Sequence, residues 1–169
     1  RAWQQLDHSR CIPLFIGDTF PMLSAMRLFS VSGKNLHVVR NVSEIVDSPD
    51  VLNLYVTDAV KEGDYAIGQL SAAAGNAAFE YVRTAIDLAM RQLVDATVTA
   101  PLNKEALHMA GHNFAGHTEI YAYFTGCSRY SMMLAQDQFR LVHVSTHVSL
   151  REACDLVRKD RVLEVIELA

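Results

Sequence analysis

One long helical pattern lies among several short runs of strand-forming residues, and this alternation restricts the fold more than any other feature. Apolar residues recur at spacings of three and four over residues 71–94, which predicts an amphipathic helix. Strand patterns precede it at residues 11–17, 36–42 and 51–56. Strands alternating with helices predict an α/β fold, a mostly parallel sheet with helices on both faces.

Local signals add detail to the first half of this arrangement. Residues 22–29 are predicted to form a helix that Gly33 ends. Residues 51–56 are predicted to form a half-exposed strand, because apolar and polar side chains alternate along it. A further short strand is expected at residues 95–100, where Pro101 stops it because proline cannot donate to a sheet.

The second half carries four further signals of local structure. They predict two short helices, a pair of strands joined by a polar turn, and a capping box that starts the last helical region. In chain order these lie at residues 104–110 behind the cap Asn103, at 116–126, at 131–135 with 139–145, and at 149–152.

Charge and hydropathy exclude two classes of partner. The formal net charge is −4 and the basic residues are scattered, so there is no basic stripe to bind nucleic acid. No apolar run approaches the roughly 20 residues that a membrane-spanning helix needs. We therefore expect a cytoplasmic protein with neither a nucleic-acid nor a membrane partner.

The cysteines and the two ends of the chain give further expectations. Cys11, Cys127 and Cys154 form no Cys-x-x-Cys pair, so we expect reduced thiols that pack as small buried apolar groups. The chain begins at Arg1 and ends at Ala169 within a helical pattern that has no stop signal. This predicts a chain cut at both ends.

Three polar segments follow strands or turns and lead into helices, at residues 97–104, 116–119 and 144–149. Ligands of α/β sheets bind at such positions, so we expect the three segments to converge. Lys104 lies in the first turn of its helix, where a cation opposes the helix dipole. It indicates a nearby phosphate or carboxylate, or else an exposed lysine that tolerates the cost.

The histidines differ in what their spacing permits. His143 and His147 would lie about 13 Å apart on a strand at about 3.3 Å per residue, too far to share a metal ion. His147 stands at the expected strand end, where a site would lie, and His143 is expected within the sheet. Gly111 separates His108 from His112, which are expected at the surface or in packing.

An imidazole, a hydroxyl and a carboxylate stand together at the start of one predicted helix. They belong to His117, Thr118 and Glu119, directly after Gly116. From the residues alone, this group either binds an oxyanion or caps the helix.

Four ordered motifs resemble those of a known family, the PdxA-type 4-hydroxythreonine-4-phosphate dehydrogenases and their D-threonate and D-erythronate 4-phosphate relatives. They lie at residues 98–104, at Gly111 with 114–119, at 131–135 and at 145–151. The resemblance implies a fold similar to the isocitrate and isopropylmalate dehydrogenases, with two lobes and a homodimer whose subunits both contribute to the site. Residues 1–169 would be a single α/β region, an incomplete central fragment of that enzyme.

The same resemblance implies roles for particular residues. His117 and Thr118 correspond to a substrate-binding pair, and Asn103 and Lys104 to a motif beside the substrate. His147 corresponds to one of three histidines that hold a divalent metal cation (Zn, Mg, Co or Mn). The catalytic residues are not identified, and no cofactor-binding residue falls within the chain.

The implied reaction is the NAD-dependent, metal-dependent oxidation of a 4-phosphorylated hydroxy acid, followed by decarboxylation. Residues 119–126 and 128–131 resemble the threonate or erythronate branch more than the vitamin B6 branch. The fragment alone is expected to be inactive, because the other metal and NAD residues are missing.

Three alternatives remain. One is a 4-hydroxythreonine-4-phosphate dehydrogenase of pyridoxal phosphate biosynthesis, with an amino group at C2 of the substrate. A second is a non-catalytic module that binds phosphate esters or dimerises. A metal-dependent hydrolase is disfavoured, because no two histidines are spaced to chelate one ion.

Overall fold

The structure is a computed structural model that describes residues 5–31 and 34–169. The chain divides into two compact units, residues 1–113 and residues 114–169. The single α/β region expected from the sequence stays a prediction.

A three-stranded parallel sheet forms the centre of the first unit. Its strands are β1 (Leu14–Gly17), β2 (Asn35–Val39) and β3 (Val51–Val56), in the order β1-β3-β2. Both neighbours run parallel to β3, with Leu14 opposite Asn53 on one side and Asn35 opposite Val51 on the other. The predicted α/β class with a parallel sheet is confirmed.

The prediction that residues 51–56 form a half-exposed strand is wrong, because β3 is the central strand. Leu52, Leu54 and Val56 are 4%, 0% and 6% exposed, and the polar Asn53 is only 1% exposed. The amide of Asn53 is satisfied by the backbone of Val46, whose N–H it accepts and whose carbonyl it donates to, both at 3.0 Å. A polar residue can therefore alternate with apolar ones in a buried strand.

Three α-helices accompany this sheet: α1 (Thr19–Leu28), α2 (Ala72–Met90) and α3 (Lys104–Met109). Helix α2 follows the predicted period, and the Ser71 hydroxyl caps it by accepting from the Ala74 N–H. Helix α1 begins three residues before the predicted position, and the predicted stop, Gly33, lies outside the described residues.

The strand predicted at residues 95–100 is wrong. Within the described chain this segment joins neither sheet, and Val98 is 98% exposed. The β-branched pattern alone cannot make a strand, because a strand needs a neighbouring backbone to pair with.

The second unit contains a helix, a two-stranded antiparallel ribbon and two further helices. The ribbon pairs β4 (Met133–Gln136) with β5 (Phe139–Val142) through Leu134 opposite Leu141, close to the predicted pair of strands. The capping box between Ser149 and Glu152 is formed as predicted, and the hydrogen bonds from Ser149 lower the pKa of the Glu152 carboxyl below its usual value. The elements are α4 (His117–Thr125), β4 (Met133–Gln136), β5 (Phe139–Val142), α5 (Leu150–Leu156) and α6 (Lys159–Leu168).

The cysteine thiols and the question of a membrane-spanning helix can also be compared with the sequence-based expectations. Cys11, Cys127 and Cys154 are free thiols, but all three are exposed, so the prediction that they are buried is wrong. Among the described residues, no helix has the length and apolar character needed to cross a membrane.

Candidate functional site

Asn103 and Lys104 lie where the sequence predicts, at the start of α3. The Asn103 side-chain oxygen accepts a hydrogen bond from the Ala106 N–H at 3.0 Å and so caps the helix. The amide nitrogen of Asn103 can still donate to a ligand. Lys104 is the first helical residue, and both side chains are exposed. Two nitrogen donors therefore stand together at this helix start.

A close approach of two helices sets the place of α3. A Cβ atom added at Gly75 of α2 would lie 1.9 Å from the Ala106 carbonyl oxygen and 2.3 Å from its carbon. Only glycine permits this approach. Ala106 and Leu107 are 5% and 0% exposed, so the buried face of α3 includes both.

His112 packs against α2, which is one of the two positions, surface or packing, predicted for it. Its ring stacks on Phe79, with centroids 3.7 Å apart and planes 13° apart. Its Nε2 lies 2.9 Å from the side-chain oxygen of Asn76. His108 is exposed on α3, also as predicted.

His117, Thr118 and Glu119 form the first turn of α4. The N-cap is Gly116, which has no side chain to cap the helix. Glu119 Oε2 is shielded from solvent and makes no hydrogen bond within the part of the chain that the structure describes. A carboxylate oxygen in that state has unused capacity to accept a proton or a donor group.

His147 lies in the loop between β5 and α5, two residues before the Ser149 cap. It is exposed and has a φ of +58°, in the left-handed region that residues other than glycine rarely adopt. Backbone strain of this kind accumulates at functional sites.

The expected strand geometry of the His143 and His147 pair is wrong, because β5 ends at Val142. His143 follows the strand directly and is half-buried, with its N–H donating to the Met132 carbonyl at 3.0 Å. The distance argument against a shared metal ion therefore loses its basis.

Asp18 is a buried polar residue that the sequence reading missed. It is 4% exposed and follows β1 directly. Its carboxylate accepts from the Thr57 N–H and hydroxyl, both at 3.2 Å, from the Val60 N–H at 2.8 Å and from the Tyr81 hydroxyl at 2.9 Å. Burial, and then the hydrogen bond to Asp18, raise the pKa of Tyr81 above its usual value. The only sequence signal was a carboxylate directly after an apolar strand.

Comparison with known proteins decides the family. The family model described as pyridoxal phosphate biosynthetic protein PdxA matches residues 9–169 of this chain. The chain belongs to the PdxA family.

Individual relatives agree with this membership of the PdxA family. The chain is 40% identical over 159 residues to a D-threonate 4-phosphate dehydrogenase from Cupriavidus necator, and 39% identical over 156 residues to one from Pectobacterium atrosepticum. These alignments cover 94% and 91% of this chain and 47% of each relative. The chain therefore spans about half the length of these relatives.

Solved structures show the same PdxA fold. The 4-hydroxythreonine-4-phosphate dehydrogenase from Burkholderia phymatum matches with a TM-score of 0.83 and 36% identity, over 95% of this chain and 48% of that one. The enzyme of that name from Klebsiella pneumoniae matches with a TM-score of 0.83 and 33% identity, over 92% and 47% of the two chains. The fold expected from the resemblance is confirmed.

The predicted site residues of this PdxA-family chain fall in both units. Asn103 and Lys104 belong to the first unit, and His117, Thr118 and His147 to the second. Their convergence, expected from the sequence, stays a prediction.

The donor chemistry of His147 suits one ligand of a metal ion. A neutral imidazole nitrogen is an accepted ligand of Zn²⁺ and other divalent cations, and the side chain is exposed. Across residues 5–31 and 34–169, no group of three His, Cys, Asp or Glu side chains is placed to hold an ion. The imidazole of His147 is therefore chemically suited to bind a metal ion.

A cleft of about 430 Å³ lies within the second unit. Arg129, Arg158 and Arg161 line it with Glu164. Arg161 donates to the Val144 carbonyl at 3.1 Å and pairs with Glu164, which lowers the pKa of that carboxyl. These contacts tie α6 to the loop after β5, and we assign the cleft a structural role.

Proposed function

We propose that this chain forms part of an NAD-dependent, divalent-metal-dependent dehydrogenase. Its substrate would be a 4-phosphorylated C4 hydroxy acid such as D-threonate or D-erythronate 4-phosphate, oxidised and then decarboxylated. The observation that carries the proposal is the 40% identity, over 94% of this chain, to a D-threonate 4-phosphate dehydrogenase. In this proposal the enzyme works as a homodimer, as the family resemblance implies, and in the cytoplasm, as expected from the sequence.

In this proposal the helix starts bind the substrate. The Lys104 ammonium and the Asn103 amide nitrogen are donors suited to a phosphate or carboxylate oxygen. His117 and Thr118 bring an imidazole and a hydroxyl to the N-terminus of α4, where the helix dipole favours an anion. Each group, taken by itself, offers donors to a charged group of the substrate.

Oxidation removes a hydride from C3 and a proton from its hydroxyl. The resulting 3-keto acid then loses its carboxylate as carbon dioxide, and C2, which keeps the electron pair of the broken bond, takes up a proton from water. When bound, NAD would accept the hydride and the metal ion would polarise the substrate oxygen. His147 would hold the metal through one imidazole nitrogen. The strained backbone at φ +58° would fix where that nitrogen lies.

Replacing His147 with alanine tests this assignment in the full-length protein. We expect NADH formation, followed by absorbance with a phosphorylated substrate and added Mn²⁺ or Zn²⁺, to fall by at least about 100-fold, because one of few ligands is lost. Metal affinity, measured by calorimetry without substrate, should fall with it. The matched control is His108→Ala, another exposed histidine, which should retain activity. Unchanged metal affinity in His147→Ala would contradict the metal role.

The alternative substrate, 4-hydroxythreonine 4-phosphate, is supported by the names of the solved structures. It differs in carrying an amino group at C2. A non-catalytic module that binds phosphate esters would instead show a phosphate-dependent thermal shift that does not depend on metal.

A further inference from the structure

We propose that His112 is a positioning residue, which holds α3 against α2 so that Asn103 and Lys104 keep the orientation needed to bind the substrate. The inference rests on the proposed function, because it deepens the role of those two residues. His112 itself lies at the opposite end of α3, beyond the Gly111 turn.

Helix α3 cannot set its own orientation. It has only six residues, and isolated helices shorter than about 12 residues are marginal in water. The position of α3 is therefore set by the residues that it packs against. In the middle of α3, Ala106 contacts Gly75 of α2, and a Cβ atom at Gly75 would break this contact.

His112 provides a second anchor, at the C-terminal end. Gly111 has a φ of +86°, and the backbone N–H of His112 donates to the Leu107 carbonyl at 3.1 Å. These two features end α3 and reverse the direction of the chain at His112. The ring then stacks on Phe79, which is 7% exposed, and meets Asn76 within hydrogen-bond distance. With the Asn76 oxygen as acceptor, His112 carries its proton on Nε2.

Two anchors on one short helix fix its rotation as well as its position. Asn76 and Phe79 follow Gly75 on α2, so both anchors use a single turn of that helix. If the hydrogen bond between His112 and Asn76 were lost, α3 could rotate about its remaining contact with Gly75. The exposed helix start at Asn103 and Lys104 would then move most, which weakens substrate binding and leaves the chemical step unchanged.

The test uses two variants that remove the same hydrogen bond from opposite sides. His112→Phe keeps a ring to stack on Phe79, and Asn76→Ala removes the acceptor. His108→Ala, on the exposed side of α3, is the matched control. Amide hydrogen exchange at residues 106 and 107, whose N–H groups donate to Asn103, reports on the helix start. Steady-state kinetics in the full-length protein report on substrate binding.

We expect exchange at residues 106 and 107 to rise about tenfold in His112→Phe and in Asn76→Ala, the effect of losing one hydrogen bond. KM for the phosphorylated substrate should rise by a similar factor, with kcat and the KM for NAD unchanged. The double variant should be no worse than either single one, because the two residues share one interaction.

Unchanged exchange in both variants would overturn the inference, whether or not the protein turns over substrate. Faster exchange with an unchanged substrate KM would also overturn it, since His112 would then only stabilise the fold. A wild-type protein without turnover would contradict the proposed function instead, and faster exchange in the variants would still support the positioning of α3.

Discussion

Replacing Asp18 with alanine is expected to reduce the free energy of unfolding by about 3–5 kcal/mol, in the range of the strongest single substitutions. The carboxylate accepts four hydrogen bonds, and its loss would leave the Val60 N–H and the Tyr81 hydroxyl without this acceptor, while the Thr57 N–H keeps the Gly17 carbonyl at 3.3 Å. An unsatisfied buried donor costs about 1–3 kcal/mol. The carboxylate also joins the ends of β1 and β3 to Tyr81 on α2, so all three elements should loosen together.

Urea unfolding followed by circular dichroism measures this effect. Asp47 is an exposed aspartate in the same unit, and Asp47→Ala is the matched control, with an expected change within about 0.5 kcal/mol. Asp18→Asn keeps the size of the side chain but turns one acceptor into a donor, so it should lie between the two. Equal stability of Asp18→Ala and Asp47→Ala would show that the Asp18 carboxylate does not hold β1, β3 and α2 together.

Gly75→Ala is expected to destabilise the first unit by about 2–3 kcal/mol, as overpacked cores do. Intrinsic helix propensity predicts the opposite sign, a gain of about 1 kcal/mol. The added Cβ would lie 1.9 Å from the Ala106 carbonyl oxygen, and a backbone atom cannot move aside as a side-chain end can. Helix α3 would have to shift away from α2.

Gly17→Ala is the matched control, since its Cβ would meet Leu54 at an ordinary 3.7 Å. Thermal unfolding of both variants gives the comparison, and substrate KM reports whether Lys104 moves with α3. If Gly75→Ala raised the melting temperature, the close contact between the two helices would be wrong.

Local features of the fold could be predicted from the sequence. The period of α2 and the capping box at Ser149 both rest on residues within one or two turns of each other. The same holds for Asn103 as the cap of α3. Such signals need no knowledge of the rest of the chain.

Features that depend on distant partners could not be predicted. Alternation along β3 does not distinguish a central strand from an edge strand, and the partner that satisfies Asn53 is a loop backbone. The partners of Asp18 lie 39 to 63 residues away in sequence. The segment around Val98 has a strand pattern, but no neighbouring strand among the described residues.

The candidate site divides in the same way. Position was predictable for Lys104 and for His117, because each starts a helix that the sequence marks. The left-handed backbone conformation of His147 could not be predicted, because the residues beside it in the sequence carry no signal for a positive φ. The roles of these residues came from the family resemblance, and family membership supports them without testing them.

The most direct test of the central claim is NADH formation by the full-length protein, with D-threonate 4-phosphate and with 4-hydroxythreonine 4-phosphate, each with and without a divalent metal ion. We predict turnover of D-threonate 4-phosphate that requires the metal, with a kcat/KM at least about tenfold above that for the amino substrate, roughly 1.4 kcal/mol of discrimination. Absence of NADH formation with both substrates in the presence of metal would contradict the account, and the PdxA resemblance would then describe the fold alone.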